Sequence, residues 1–204
     1  PSPDFLVFFN LDVSGHGMSS AMLSMFLQST LGLKRSLYGG NISRESAYNL
    51  PETFAKNLNE MLLDASTDHY ITMVFGIIDF REKQLHFVQA GHPHPLWFSN
   101  KKQLLSDIDI DGFPVGLISE ASYETQHLDF ETGDKLIIFS DGISETNSAI
   151  TDEQFNSNVL FNHFNDIKSD SPSEMIKKIN DSWLVKKHLN DLPDDINILI
   201  FEFK

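Results

Sequence analysis

The stretch YITMVFGIIDFREKQLHFVQ, residues 70–89, is where the chain leaves helical periodicity for extended periodicity. Tyr70–Asp79 is dense in β-branched and aromatic residues, which pack well on a pleated surface. Arg81-Glu82-Lys83 is a charged turn, and Gln84–Gln89 alternates apolar with polar. Two such runs joined by a short polar turn predict an antiparallel hairpin. Asp79, at the end of the first run, reads as a hairpin residue.

On the N-terminal side, Phe5–Leu11 (FLVFFNL) is an apolar run that reads as a buried strand ending at Asp12. A glycine turn leads to Met18–Leu33, where apolar residues fall at 18, 21, 22, 25 and 26 and also at 23, 27 and 31. Two stripes at helical spacing predict a helix covered on more than one side. Residues 39–49 read as a loop. Pro51 then opens a second amphipathic helix carrying Phe54, Leu58, Met61 and Leu62.

On the C-terminal side, His94–Phe98 and Gln103–Leu105 read as short strands, and Asp107–Ser122 as a loop holding Gly112, Pro114 and Gly116. Tyr123–Phe130 alternates. Gly133-Asp134 turns into Lys135–Ser140, a buried strand running into Asp141-Gly142. Residues 152–165 read as helical. Ser171-Pro172-Ser173-Glu174 is a helix start, with Ser at the cap and Pro at the first position. Ile196–Phe203 is a last strand. Helices packed on antiparallel sheets make this an α+β chain, and no repeat or linker interrupts a single domain over residues 1–204.

The chain has 204 residues, 41% of them apolar, enough for a sizeable core. Its formal charge is −14, from 15 Lys+Arg and 29 Asp+Glu. That balance argues against nucleic acid and against anionic lipid as partners, and suits a protein that collects divalent cations. With no cysteine, thiolate metal sites, disulfides and a cysteine nucleophile are excluded. The first residues do not read as a signal peptide, and the uncharged run Val13–Leu33 is too polar for a membrane span, so the expected location is the cytoplasm.

Three acidic spots share one context. Asp12 and Asp141 each end an apolar strand before a glycine turn, and Asp194-Asp195 opens the last strand. If the last strand runs antiparallel to the other two, all three spots lie at one end of the sheet. Singly, each Asp reads as a turn residue bonding its own backbone. Together, converging carboxylates need cations to stay ionised, and an all-oxygen donor set suits Mg²⁺ or Mn²⁺.

Asp12-Val13-Ser14-Gly15-His16-Gly17, followed by Ser20-Ala21-Met22-Leu23, resembles the DVSGHG signature of PPM-type metal-dependent serine/threonine phosphatases in their bacterial SpoIIE/RsbU-like branch. Ala90-Gly91-His92-Pro93-His94-Pro95-Leu96 resembles that branch's AGHxPxL segment, and Gly112–Leu117 its G-x-P-hydrophobic-G-L loop. Phe139–Asn147 after Gly133-Asp134 resembles GDxLxxxTDGvxEAxN, and Asp194-Asp195-Ile196-Asn197 the closing DDxT strand. The blocks run in order from residue 5 to residue 203.

The resemblance implies an α–β–β–α sandwich of two antiparallel sheets flanked by helices. It implies hydrolysis of phosphoserine or phosphothreonine by metal-activated water, with two Mn²⁺ or Mg²⁺ ions in the intact domain. By position Asp12 bridges the ions, the Val13 carbonyl adds a ligand, and Asp141 and Asp194 complete the shell. Which of Asp194 and Asp195 ligates stays open. His16 is a general acid or a hydrogen-bond partner of metal-bound water, or else serves the turn. Gly116 and Gly142 would let a phosphopeptide approach. His92 and His94 have His-x-His spacing, but the prolines around them favour a rigid turn. The implied partner is a phosphorylated regulatory protein, such as an anti-sigma-factor antagonist. A homodimer through residues 18–65 is a further expectation. The alternative is an inactive module that binds a phosphoprotein or partner, which would have no need of all three acidic spots.

Ser140 and Asn197 stand where the pattern has Thr. The pattern also has an upstream strand with a Gly-Asp pair that binds the second metal. Only eleven residues precede Asp12, and Asp4 lies roughly 26 Å away along one strand at about 3.3 Å per residue. The chain is therefore expected to be a fragment lacking that N-terminal strand and an upstream sensory domain, with an exposed sheet edge, weak second-metal binding and, in the fragment by itself, no activity.

Overall fold

A computed structural model describes residues 4–15, 17–37, 43–65, 67–143, 157–183 and 196–204. They form two compact units, Pro1–His92 with Ile110–Phe130, and Pro93–Asp109 with Glu131–Lys204. Each unit is built on one four-stranded antiparallel sheet with helices, so the expected α+β class with two sheets holds.

The first sheet has the order β1 (Phe5–Val13), β2 (Ile71–Asp79), β3 (Gln84–Ala90), β6 (Gln126–Asp129). The hairpin expected over residues 70–89 is its centre, with Asp79 paired to Gln84 across the turn. β1 pairs with β2 over all nine residues, from Phe5 opposite Asp79 to Val13 opposite Ile71. Among the described residues β1 is an edge strand, and its Leu6, Val7 and Phe9 are exposed. Phe8 lies across Gly76, where a Cβ would sit 2.6 Å from the ring and 2.7 Å from the His86 carbonyl. Only glycine leaves that space.

Helices α1 (Met18–Leu37) and α3 (Leu50–Asp64) supply Leu27, Phe54, Ala55, Leu58 and Leu62 to a core with Ile71, Met73, Phe75, Val88 and Ala90. These strand residues share one face because strand side chains alternate. Burying each Leu, Ile or Phe contributes about 1.5–3 kcal/mol. The Phe54 and Phe75 rings stack at 4.2 Å. Of the two stripes expected on α1, Leu23 and Leu27 face this core, while Met18, Met22, Met25 and Phe26 are exposed.

The loop expected over residues 39–49 contains a short helix, α2 (Arg44–Tyr48). Ser43 caps it, accepting from the Ser46 N–H. Its five residues are too few for periodicity to show; two side chains fix it to the sheet. Arg44 Nε donates to Asp79 Oδ2 at 3.0 Å and the Tyr48 hydroxyl donates to the same oxygen at 2.9 Å. Tyr48 also stacks on His86 at 3.7 Å. Asp79 Oδ1 accepts the N–H groups of Arg81 at 2.9 Å and Glu82 at 3.0 Å. Asp79 is thus the hairpin residue expected, and it lies at the end of β2 opposite Thr72 and Asp12.

The second sheet has the order β5 (Leu104–Asp107), β4 (Leu96–Ser99), β7 (Lys135–Phe139), β8 (Ile198–Glu202). All five residues of β7 are buried. Helices α4 (Ser157–Ile167) and α5 (Pro172–Trp183) pack Leu160, Phe164, Ile167, Met175 and Ile179 against Leu96, Phe98, Leu105, Ile137 and Phe139. α5 starts where expected, and its start is a capping box: Ser171 Oγ accepts from the Glu174 N–H, and Glu174 Oε2 accepts from the Ser171 N–H. At the Gly133-Asp134 turn, the Asp134 carboxylate accepts the N–H groups of Asn100 and Glu131, both at 2.8 Å.

One expectation is corrected. Asp12 and Asp141 do not end strands of one sheet: β1 belongs to the first sheet, and β7 with β8 to the second. The antiparallel pairing supposed for the last strand holds only between β8 and β7. Among the described residues no helix is long and apolar enough to cross a membrane.

Burial alone would raise the Asp79 carboxyl. The Glu82 N–H, the Tyr48 hydroxyl, Arg44 and the Arg81 N–H outweigh it and hold the group below its ordinary 3.8. The stabilisation is therefore complete above pH 3.8 and is lost as pH falls through the lower folded-state value. Asp79→Asn is expected to lower unfolding free energy by about 3 kcal/mol at pH 7, at the low end for a buried pair because Arg44 is partly solvated. It should also flatten the acid limb of stability. Urea titrations at pH 7 and at pH 3 check both.

Candidate functional site

In the first unit, Asp12 sits one residue from the end of β1, directly opposite Thr72 of β2, and is partly exposed. Cross-strand partners share a face, so Asp12 and Thr72 lie on the face away from the core that holds Leu11, Val13 and Met73. The Thr72 hydroxyl is 3.0 Å from His92 Nδ1. His92 is buried, and its carbonyl accepts from Gln89 Nε2. Asp12, Thr72 and His92 thus gather at one end of this sheet.

The turn after Asp12 is fixed by the two residues preceding β2. The Ser14 N–H donates to the Tyr70 carbonyl at 2.9 Å, and the Tyr70 N–H donates to Ser14 Oγ at 2.9 Å. His69 Nδ1 is 2.7 Å from the Ser14 carbonyl, and its Nε2 is 2.9 Å from Ser19 Oγ. A carbonyl only accepts, so Nδ1 carries the proton; in the neutral ring Nε2 then accepts from Ser19. Gly15 follows with φ +81°, in the left-handed region. The Val13 side chain packs on the core.

The G-x-P-x-G-L loop lies against the same end. Val115 and Ile71 exchange both backbone hydrogen bonds at 2.8 Å. Asn59 of α3 accepts the Gly116 N–H at 2.7 Å and the Tyr123 hydroxyl at 3.2 Å, and donates to the Ile118 carbonyl at 3.0 Å. Burial pushes the Tyr123 phenol up to about 12, so it stays a donor. Gly116 has φ +87°, and a Cβ there would stand 2.8 Å from Leu62. Its N–H is committed to Asn59, so what it offers a ligand is the lack of a side chain.

In the second unit, β7 runs into a 3-10 turn, Asp141–Ile143. Asp141 is partly exposed, while Gly142 and Ile143 are buried. Ser140 and Asn197, the two departures from the family pattern, bond each other. The Ser140 N–H donates to the Asn197 carbonyl at 3.0 Å, and the Asn197 N–H donates to Ser140 Oγ at 2.9 Å. A serine hydroxyl at 140 suffices for this. His94 Nδ1 is 3.5 Å from Asp109 Oδ1.

His16, Asp194 and Asp195 lie outside the described residues. Of the remaining expected residues, the first unit holds Asp12, Val13 and Gly116 at one end of its sheet, and the second holds Asp141 and Gly142 at one end of β7. Asp12 and Asp141 are each a partly exposed carboxylate at a strand end, and the donor chemistry of each by itself fits a hard divalent cation.

Thr72, His69 and Asn59 were not singled out from sequence. Two of them left a signal. Thr72 is a polar residue within an apolar strand, and Asn59 falls on the buried face of α3, one turn beyond Ala55. His69 lies in a polar connection with no pattern of its own.

The chain resembles phosphoserine phosphatase RsbU of Bacillus subtilis (strain 168), with 28% identity over 159 residues, 76% of this chain and 45% of that protein. Phosphoserine phosphatase RsbP of the same organism is 24% identical over 198 residues, 95% of this chain and 45% of that protein. The chain spans about half the length of these curated relatives. The SiaA-PP2C domain of Pseudomonas aeruginosa matches with a TM-score of 0.80 and 16% identity, over 100% of this chain and 78% of that one. The family model described as Stage II sporulation protein E (SpoIIE) matches residues 2–204, and the chain therefore belongs to the SpoIIE family, with the PP2C-type α+β fold.

Proposed function

We propose that this chain is the catalytic part of a metal-dependent serine/threonine phosphatase that acts on a phosphorylated bacterial regulatory protein, such as an anti-sigma-factor antagonist. The observation that carries the reading is the pair of partly exposed carboxylates, Asp12 and Asp141, each at the end of an apolar strand, in a chain matched by the family from residue 2 to residue 204.

In this reading Asp12, the Val13 carbonyl, Asp141 and Asp194 hold two Mn²⁺ or Mg²⁺ ions. When bound, the ions supply an activated water and neutralise the phosphoryl oxygens. The chain's own residues do the rest. Asp12 and Asp141 orient the ions, and Gly116 and Gly142 leave room for the phosphorylated side chain. His16 supplies a proton to the leaving alkoxide or a hydrogen bond near it. A chain of net charge −14 repels a phosphate dianion, so its carboxylates serve hydrolysis only with cations between them and the substrate.

The exposed Met18, Met22, Met25 and Phe26 of α1 support the further reading that residues 18–65 form a homodimer surface.

With Mn²⁺ and a serine-phosphorylated protein as substrate, a protein in which this chain follows the family's Gly-Asp strand is expected to release phosphate. Asp141→Asn should lower kcat by more than about 100-fold, since losing even a residue behind the ligands costs 10–100-fold. No turnover by wild type, with Mn²⁺ demonstrably bound, would favour the inactive binding module instead. The wild-type chain is expected to sediment as a dimer and Met22→Asp as a monomer, because a charge cannot be buried unpaired. A monomeric wild type removes the homodimer.

A further inference from the structure

We infer that His69 is a positioning residue for the metal centre: it sets the backbone that presents the Val13 carbonyl, by locking Ser14 to the start of β2 and to helix α1. The inference rests on the metal-dependent reading above.

Every polar group of Ser14 is engaged by residues 69 and 70: its N–H by the Tyr70 carbonyl, its Oγ by the Tyr70 N–H, its carbonyl by His69 Nδ1. The consequence for Val13 follows from peptide geometry. In a trans peptide the carbonyl and the N–H point in opposite directions. The Ser14 N–H points at Tyr70, so the Val13 carbonyl of the same peptide is turned the other way, out from the β1–β2 ladder. Among the described residues no strand lies on that side of β1. A backbone oxygen aimed away from its own sheet suits a hard cation.

The Ser14 N–H bond alone does not fix this plane. Gly15, with φ +81°, and Gly17, with φ +102°, are the least restrained residue types, and they flank the turn. The Ser14 carbonyl belongs to the next peptide. Tying it down fixes ψ of Ser14 and stops the glycine turn from rotating the strand end. His69 does this at 2.7 Å, with its ring against Gly15: a Cβ built there would sit 3.5 Å from His69 Cε1. The second ring nitrogen reaches Ser19 in the first turn of α1 at 2.9 Å. One imidazole therefore braces the turn from both ends.

The two nitrogens separate in a test. Asn places an N–H donor at the position of Nδ1 but cannot reach Ser19. Gln approximates the Nε2 position but loses the Ser14 carbonyl. Mn²⁺ binding to the full chain is measured by the loss of the free-ion electron paramagnetic resonance signal, with amide exchange at Ser14 and Gly15 measured in parallel without metal. His69→Ala and His69→Gln are expected to weaken Mn²⁺ binding by about 10-fold or more and to speed exchange at both amides. His69→Asn is expected to restore both toward wild type. A merely structural role would move the melting temperature in all three variants without this split. Wild-type affinity and exchange in His69→Ala, or no rescue by Asn, overturns the inference while leaving the phosphatase reading intact. A wild-type chain that binds no Mn²⁺ overturns both.

Discussion

The nine-residue register between β1 and β2 is the constraint on which the first unit depends. Strand side chains alternate, so a slip of one residue would exchange the two faces of β1. Leu11 and Val13 would leave the core, and Asp12 would enter it. In the observed register both ends are pinned by polar contacts. At one end Ser14 is locked to Tyr70; at the other the Phe80 N–H donates to the Asp4 carbonyl at 2.9 Å. Gly76 pins the middle, because only one partner of Phe8 can lack a side chain. The position of Asp12 beside Thr72 follows from these three points.

The opposite end of the sheet shows how a buried carboxylate is tolerated. Asp79 has no exposed side-chain surface, and an uncompensated charge there would cost several kcal/mol. Two oxygens accept four hydrogen bonds, from two backbone N–H groups, Tyr48 and Arg44. The backbone pair comes with the hairpin turn. The side-chain pair must come from elsewhere, and α2 brings both in one turn and a half. Arg44 also lies over the Phe5 ring at 6.0 Å and reaches Glu82 at 3.5 Å, so the helix spans β1, β2 and the turn. A five-residue helix has little stability of its own. It is ordered because the carboxylate needs its donors.

That dependence explains what could be read locally and what could not. The 70–89 hairpin, the Ser171–Glu174 cap and the buried strand before Asp141 each announce themselves within about ten residues, by alternation, capping chemistry or apolar runs. Helix α2 does not, because its cause lies 31 to 35 residues away at Asp79. Sheet membership is also nonlocal. β1 and β7 look alike in sequence, an apolar run ending in Asp before a glycine turn, and nothing in either run names its neighbours. Reading them into one sheet was the natural inference, and the pairing of β1 with β2 and β7 with β4 and β8 replaces it. Among the site's supports, Thr72, a polar residue within an apolar strand, and Asn59, on the buried face of α3, left a signal in the sequence. His69 did not, since only the folded turn gives it Ser14.

The supports share a physical logic. Glycine turns carry exposed backbone groups that must be satisfied if the turn is to hold one shape. Here side chains satisfy them in advance: Asn59 takes the Gly116 N–H and bonds the Ile118 carbonyl, His69 and Tyr70 take the polar groups of Ser14, and Ser140 and Asn197 take each other. A turn whose backbone is already committed loses little freedom when a ligand arrives, so less of the ligand's interaction energy is spent on ordering it. The same commitment narrows what each turn offers. Gly116 presents no free N–H to a phosphate, whereas the Val13 carbonyl is turned outward by the bond its neighbour makes. Ligand chemistry in this chain is thus decided by which backbone groups the fold has already used.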